Sequence, residues 1–179
     1  LALLQPDRNT AIINCMINIA EEQGVLPVWH LWGNETNCMV GNPGVIAVAD
    51  AIVKKTPGVD LDRAYKALLT TTADTARGGK YREQYGYIPS DLMTESIAYD
   101  LEYAIADAAV AQAAMAMGDS ANYRKYTDRS HSYRNYLDKE TGFSRGKMSD
   151  GSWRTPFDPN AADHRVNDYC EGNAWQYTW

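Results

Sequence analysis

The longest helical pattern in the chain constrains the fold most. It spans residues 93–117, where Ile97, Leu101 and Ile105 stand among many alanines that allow close packing on both sides. A helix that is apolar around most of its circumference is typical of a protein interior. The segment therefore predicts a central helix that ends at Gly118.

Shorter helical patterns flank this segment and are separated by polar turns. In each of them apolar residues recur at steps of three and four, and end signals follow, such as the capping Asp60 and the terminating Gly24. The predicted helices are residues 7–22, residues 45–53, a helix that follows Asp60, residues 121–137 capped by Ser120, and a last helix that begins near Gly172. Residues 76–89 are predicted to form a long loop, and no convincing strand alternation is present. We therefore predict an all-α chain of helix pairs joined by short turns and long aromatic loops.

The composition excludes several classes of function. With 179 residues, 45% apolar and 22% charged, the chain has the composition of a folded globular protein. A net charge of -6 without a dense Lys/Arg cluster argues against nucleic acid as a partner. No stretch approaches the roughly 18 apolar residues of a membrane span. The sequence alone does not indicate a compartment.

A first candidate cluster lies between the first two predicted helices. It contains Trp29, Trp32, Asn34 and Glu35. Flat indole rings match the CH face of a sugar, and amide and carboxylate groups bind hydroxyl groups in pairs. The alternative is structural: the two indoles would cover helix ends, while Asn34 and Glu35 would cap the next helix.

Two further clusters lie in the last thirty residues. Trp153 stands in an aromatic and polar loop, and Glu171 is followed by Gly172, Trp175 and Tyr177. Partial desolvation between the two rings would favour the protonated form of Glu171, as a general acid for glycosidic cleavage requires. Alternatively, Glu171 caps the last helix or pairs with an arginine. Composition and spacing leave a sugar-cleaving enzyme and a sugar-binding module equally open.

A series of ordered motifs then identifies a family resemblance. The motifs are Val25-Leu26-Pro27-Val28-Trp29, Gly33-Asn34-Glu35-Thr36, Cys38-Met39-Val40-Gly41, Gly86-Tyr87-Ile88-Pro89, Leu101-Glu102-Tyr103-Ala104, Asp150-Gly151-Ser152-Trp153, Pro156-Phe157-Asp158-Pro159 and Glu171-Gly172-Asn173-Ala174-Trp175-Gln176-Tyr177. In this order they resemble glycoside hydrolase family 92, the calcium-dependent α-mannosidases. The resemblance covers essentially the whole chain and is far more specific than any single motif.

The resemblance implies a fold and a reaction. Residues 1–179 are expected to form a single segment of an (α/α)₆ toroid, which is incomplete because the family's N-terminal β-sandwich and the C-terminal part of the toroid lie outside it. The family removes terminal mannose from glycans with inversion, and we expect an exo-acting α-1,2-mannosidase type. Glu171 matches the general acid. The family's general base lies downstream of Trp179, so residues 1–179 alone are expected to be inactive.

The resemblance also implies ligands and partners. Calcium is expected in the intact enzyme, with the side-chain oxygens of Asn173 and Gln176 as candidate ligands, but not stably on this segment alone. The expected substrate-binding residues are Trp29, Trp32, Asn34, Glu35, Trp153 and Trp175. Mannose-containing glycans are the expected substrates. Exposed helix faces are expected to contact the remainder of the parent chain or a second copy. By this resemblance the protein is expected to be an exported bacterial enzyme, located in the periplasm, on the surface or in the medium. The alternative is a noncatalytic helical module that binds a carbohydrate or a protein.

Overall fold

The computed structural model describes residues 1–163 and 167–178, and most of these residues that have regular structure are helical. The elements in chain order are α1 (Pro6–Gln23), β1 (His30–Leu31), β2 (Asn34–Glu35), α2 (Pro43–Val53), α3 (Leu61–Thr72), α4 (Gly79–Tyr85), α5 (Ser96–Ala116), α6 (Ser120–Arg129), a 3₁₀ helix (Ser132–Asn135) and α7 (Ala174–Tyr177). They pack as two units: unit 1 comprises Leu1–Asp74 and Ile105–Ser130, and unit 2 comprises Thr75–Ala104 and His131–Trp179. Helix α5 therefore contributes residues to both units. In the described part of the chain, no helix is both long and apolar enough to cross a membrane.

Unit 1 is built on an aliphatic core. Helix α1 begins with Pro6 in its first turn, ends at the left-handed Gly24, and buries Ile13, Ile17 and Ala20. The same core includes buried side chains of α2, α3, α5 and α6, namely Val45, Val48, Ile52, Leu68, Val110 and Tyr126. The predicted stop at Gly24 and the predicted cap at Asp60 agree with the structure, where Asp60 Oδ1 accepts hydrogen bonds from the N–H groups of Asp62 and Arg63.

A small antiparallel hairpin in unit 1 was not predicted. Strands β1 and β2 pair His30 with Glu35 and Leu31 with Asn34. Trp32 and Gly33 form the connection, and both have a positive φ, 57° and 77°. Two consecutive positive φ values are the pattern of a type I′ turn, which places the Trp32 side chain at the tip. The strands are too short to show an alternating pattern in the sequence.

Unit 2 has an aromatic core and more irregular backbone. Tyr87, Tyr136 and Tyr169 pack with Ile97 of α5 and Ala174 of α7. Within this unit the prediction of one long loop over residues 76–89 was wrong, because α4 occupies Gly79–Tyr85. Its residues are mostly polar, so the helix has no apolar period that a sequence could show.

Helix α6 is shorter than predicted and begins earlier. Its cap is Asp119, whose side chain accepts from the N–H of Asn122, and not the predicted Ser120. The predicted helix over residues 121–137 ends at Arg129 and is followed by the 3₁₀ helix. The Ser130 hydroxyl donates to the Thr127 carbonyl at 2.7 Å. Such local bonds satisfy carbonyls at a helix end and favour its termination.

Candidate active site

Glu171 is an exposed residue between two buried neighbours. Cys170 is 5% exposed and Gly172 is buried, whereas Glu171 is open to solvent. Its backbone has a φ of 50°, in the left-handed region that non-glycine residues rarely adopt. Among the described residues, its carboxylate has no hydrogen-bond partner. The buried flanks therefore fix the backbone from which this side chain projects, and backbone strain of this kind clusters at functional sites.

The segment before Glu171 is fixed to the start of α5. The Asp168 carbonyl accepts hydrogen bonds from the N–H groups of Ile97 and Ala98 at 3.0 and 3.2 Å, and the Asn167 carbonyl accepts from the N–H of Glu95 at 2.7 Å. The Tyr169 hydroxyl donates to the Ser144 carbonyl at 2.5 Å. The first amide groups of a helix have no partner within it, so this segment supplies them.

The segment after Glu171 is fixed by α7, a single helical turn. Asn173 caps the turn: its Oδ1 accepts from the N–H of Trp175, and Gln176 Oε1 accepts from the N–H of Asn173 at 2.8 Å. This reciprocal pair is a capping box. Gly172 lies close beneath it, since a Cβ there would lie 2.8 Å from Gln176 Oε1 and would displace that side chain. The prediction of a helix starting near Gly172 is thus correct to within two residues, and the two candidate calcium ligands each have a structural task.

Two predicted binding tryptophans belong to the same unit as Glu171. Trp175 is 63% exposed, and its ring meets Phe143 edge to face with centroids 4.7 Å apart. Trp153 is half-buried, and the Lys147 ammonium lies over its ring at 5.9 Å. Trp175 therefore presents much of its ring to solvent beside Glu171 in the sequence, while Trp153 also has a structural contact.

The remaining predicted binding residues lie on the hairpin of unit 1. Trp32 is 96% exposed and Trp29 is 51% exposed, so neither covers a helix end. Asn34 is exposed, and its Oδ1 accepts from the N–H of Glu35 at 2.9 Å. Asn34 and Glu35 do not cap α2, whose N-cap is Asn42.

Glu35 organises the backbone of this loop. Its carboxylate accepts hydrogen bonds from the N–H groups of Val28, Trp29 and Asn37 at 2.7 to 3.1 Å, and His30 Nε2 lies 3.6 Å away. Partial burial raises the pKa of Glu35, but these backbone bonds outweigh it and hold the pKa below its ordinary value of 4.5. A carboxylate bonded in this way is an ionised structural group.

Sequence reasoning missed two carboxylates of unit 2. Asp168 is 4% exposed and Glu102 of α5 is half-buried. Burial raises the pKa of Glu102, and it raises the pKa of Tyr177 to about 12 with added repulsion from Glu102 and Glu95. Glu102 and Glu95 thus lie near Tyr177, in the segment that follows Glu171. Glu102 carried a signal, since it stands inside a family motif, whereas a single loop aspartate has no pattern to reveal it.

The fold and the loop together define an all-α chain that presents one carboxylate from a rigid, strained turn. Comparison with known proteins identifies the family to which the chain belongs. The chain belongs to glycosyl hydrolase family 92, since the profile of the family's catalytic domain matches residues 1–179. No curated protein matches the chain.

Solved structures agree with this assignment. The chain is similar to the family GH92 α-mannosidase BT3965 from Bacteroides thetaiotaomicron in complex with mannoimidazole, with 38% identity and a TM-score of 0.93 over 98% of this chain and 24% of that one. The same enzyme without that ligand gives 39% identity and a TM-score of 0.91, again over 98% of this chain and 24% of that one. The inverting mannosidase BT2199 from the same species gives 30% identity and a TM-score of 0.88 over 96% of this chain and 24% of that one.

These matches bear on the fold prediction. The all-α class, as an incomplete (α/α)₆ toroid, is confirmed. The chain spans about a quarter of the length of the structures it matches.

Proposed function

We propose that residues 1–179 are the acid-bearing segment of an exo-acting inverting α-mannosidase, of the α-1,2 type, that releases terminal mannose from glycans. The observation that carries this proposal is the exposed Glu171 carboxylate on a turn whose neighbours on both sides are buried. Similarity at 38% identity to an α-mannosidase bound to mannoimidazole supports the substrate class, and similarity to an inverting mannosidase supports the stereochemistry.

The proposed role of Glu171 is to donate a proton to the departing glycosidic oxygen. An inverting enzyme needs a second carboxylate that activates water on the opposite sugar face, about 6.5 to 9.5 Å from the acid. By family resemblance that base lies downstream of Trp179. We therefore expect a polypeptide of residues 1–179 to show no turnover, and measurable mannose release by the purified polypeptide would contradict this.

Calcium belongs to the proposal for the full-length protein. Bound calcium would contact the vicinal hydroxyls of the sugar and help to distort its ring. The amide oxygens of Asn173 and Gln176 have suitable chemistry, and each keeps one lone pair beyond its capping bond. Calcium takes six to eight oxygens, and the described residues hold no group of three or more acidic, His or Cys side chains that could bind a metal. We therefore expect further calcium ligands to come from other parts of the full-length protein.

Mannose release by the full-length protein tests the proposal. An α-linked manno-oligosaccharide is incubated with wild type, with wild type plus a calcium chelator, and with Glu171→Gln. The matched control is Glu140→Gln, an exposed glutamate of the same unit. Loss of general acid catalysis is expected to lower kcat by about 10² to 10⁴ in Glu171→Gln. Equal rates in all samples would refute the assignment.

A noncatalytic carbohydrate- or protein-binding module is the second candidate. It is favoured by the hairpin, which holds Trp32 fully in solvent on a left-handed backbone that a bulky residue rarely adopts. Mannose titrated while tryptophan emission is followed would show saturable binding that Trp32→Ala abolishes and Leu31→Ala, a neighbouring exposed side chain, does not. Binding with no turnover by the full-length protein would favour this candidate over the enzyme.

Two expectations about partners and location complete the proposal. Val53, Ile105 and Met115 are exposed apolar side chains on helices, which supports contact with the remainder of the parent chain or a second copy. Sedimentation of residues 1–179 as a monomer over a wide concentration range would count against self-association. Export to the periplasm, surface or medium is proposed by resemblance alone, and cell fractionation tests it.

A further inference from the structure

We propose that Asp168 is a positioning residue that sets the direction of the Glu171 carboxylate. This inference rests on the proposed role of Glu171 as the general acid. Asp168 precedes Glu171 by three residues, and its side chain and its backbone carbonyl both make contacts within unit 2.

The side chain of Asp168 is held by two partners. It is 4% exposed, and Asp168 Oδ1 accepts a hydrogen bond from the hydroxyl of Ser96, the first residue of α5, at 3.2 Å. Asp168 Oδ2 lies 2.9 Å from Nε of Arg154 in an ion pair. A buried carboxylate is stable only when it is paired and hydrogen-bonded, so both partners restrict where Asp168 lies.

The pocket around this carboxylate leaves no room for movement. The Ser96 hydroxyl also bonds to the Ser90 hydroxyl at 2.8 Å, and Arg154 donates to the Ser90 carbonyl. Gly146 covers the other side, since a Cβ at that position would lie 2.0 Å from Asp168 Oδ2 and 2.6 Å from Ser90 Oγ. The space is therefore shaped around the Asp168 carboxylate.

The backbone transmits this constraint to Glu171. From Asp168, whose carbonyl is bound by two amides of α5, the chain runs through the buried Tyr169 and Cys170. The Cys170 carbonyl accepts from the Tyr177 hydroxyl at 2.6 Å, which fixes the last residue before Glu171. Glu171 then has a left-handed φ of 50°, which persists only where its surroundings enforce it. Release of Asp168 would let the exposed carboxylate move away from the position that proton donation needs.

The inference makes a prediction that a merely structural role does not. A variant that is less folded loses the same factor of kcat on every substrate. A variant with a displaced general acid loses rate mainly on substrates whose leaving group needs a proton. The two probes are an α-linked mannobiose, whose departing alcohol needs one, and 2,4-dinitrophenyl α-mannoside, whose phenolate leaves without one.

Four variants of the full-length protein are compared with wild type on both probes. Asp168→Asn keeps the shape of the side chain and removes its charge. Ser96→Ala removes the hydrogen bonds of the Ser96 hydroxyl to Asp168 and to Ser90, keeps the ion pair, and serves if Asp168→Asn does not fold. Asp107→Asn is the matched control, a 1% exposed aspartate of unit 1 that pairs with Arg129 at 3.2 Å. Glu171→Gln is the reference for complete loss of the acid.

The expected results separate the inference from the proposed function. Asp168→Asn should lower kcat on mannobiose by about tenfold to a hundredfold, the cost of a misplacement near 1 Å, with a much smaller loss on the dinitrophenyl substrate. Ser96→Ala should also lose more kcat on mannobiose than on the dinitrophenyl substrate, by a smaller factor. Asp107→Asn should show no such difference between the two substrates. If Glu171→Gln is selective for mannobiose but Asp168→Asn is not, the positioning role is overturned while the function stands. If Glu171→Gln loses equally on both probes, Glu171 is not the acid and both proposals fall.

Discussion

The substitution Tyr136→Phe removes one hydroxyl that hydrogen-bonds both backbone polar groups of the buried residue Ile88. Tyr136 is fully buried, its hydroxyl accepts from the N–H of Ile88 at 2.9 Å, and it donates to the carbonyl of Ile88 at 2.9 Å. Ile88 is itself 0% exposed and lies in the Gly86-Tyr87-Ile88-Pro89 motif. Phenylalanine has nearly the same shape, so the change leaves no large cavity and removes the two bonds to Ile88 together with the contact of the hydroxyl to the buried Asp100 carboxylate.

The expected cost follows from the number of groups left without a partner. A buried donor or acceptor that loses its partner costs about 1–3 kcal/mol. Two such groups at Ile88 give a total of about 2–6 kcal/mol for Tyr136→Phe. Since about 1.4 kcal/mol is a factor of ten, the opening equilibrium of this segment should rise by about 30-fold to 20,000-fold.

Tyr126→Phe is the matched control in unit 1. Tyr126 is 2% exposed, and its hydroxyl lies 2.6 Å from Thr72 Oγ1. The Thr72 hydroxyl also donates to the Leu68 carbonyl at 2.9 Å and keeps that acceptor in the variant. No buried donor is orphaned, so the cost should be that of one hydrogen bond, about 0.5–1.5 kcal/mol.

Hydrogen exchange followed by mass spectrometry measures both changes in the full-length protein, because it reports local opening without requiring two-state unfolding. Peptides that cover residues 86–90 report on Tyr136→Phe, and peptides that cover residues 68–74 report on Tyr126→Phe. The expected result is a much larger loss of protection at residues 86–90 in Tyr136→Phe than at residues 68–74 in Tyr126→Phe. Equal losses, or none at residues 86–90, would refute the argument that the two Ile88 groups depend on this hydroxyl.

Three further predictions concern the hairpin of unit 1 and two positions of unit 2. The pKa of Glu35 is depressed, so the stabilisation that its carboxylate gives the loop is complete above the ordinary pKa of 4.5 and is lost as the pH falls through the lower folded pKa. Emission from Trp29 should report this loosening of the loop in acid, and Glu35→Gln should remove the pH dependence. Gly146→Ala would place a methyl group 2.0 Å from Asp168 Oδ2 and should lower the free energy of unfolding by at least about 1–3 kcal/mol, which is seen as a lower melting temperature. An unchanged melting temperature would contradict the close packing at this position. Asn173→Ala should weaken α7 by about 0.5–2 kcal/mol, whereas Asn173→Asp keeps an accepting oxygen and should not; equal hydrogen exchange of residues 173–178 in both would argue against the capping box.

The sequence was sufficient for elements that carry their own local signals. Gly24 and Asp60 mark the ends of helices because each satisfies or permits a specific backbone geometry. The alanine-rich segment predicted α5, although the helix starts at Ser96 and not near residue 93. Helix α4 was missed because its residues lack an apolar period and it is held by tertiary contacts, such as the buried ion pair of Arg82 with Asp100.

The candidate site was predictable only in part, for a related reason. Glu171 was found through a motif, but the groups that fix it come from distant segments: Ser96, Gly146 and Arg154 meet at Asp168 without any regular spacing. Glu35 was predicted as a substrate-binding residue, and its bonds to three backbone amides became visible only with the hairpin. Contacts of this kind depend on the folded chain and have no periodic signature.

The side chain of Glu171 faces solvent, so it contributes little to the packing that holds the fold together. No other residue in the described part of the chain hydrogen-bonds to that carboxylate, so a copy of the gene could lose it by mutation and still encode a folded polypeptide. If Glu171 is the proposed general acid, a related protein that binds sugar without cleaving it would keep residues 167–170 and differ at position 171. Asp168 would then be retained in proteins that no longer have the glutamate.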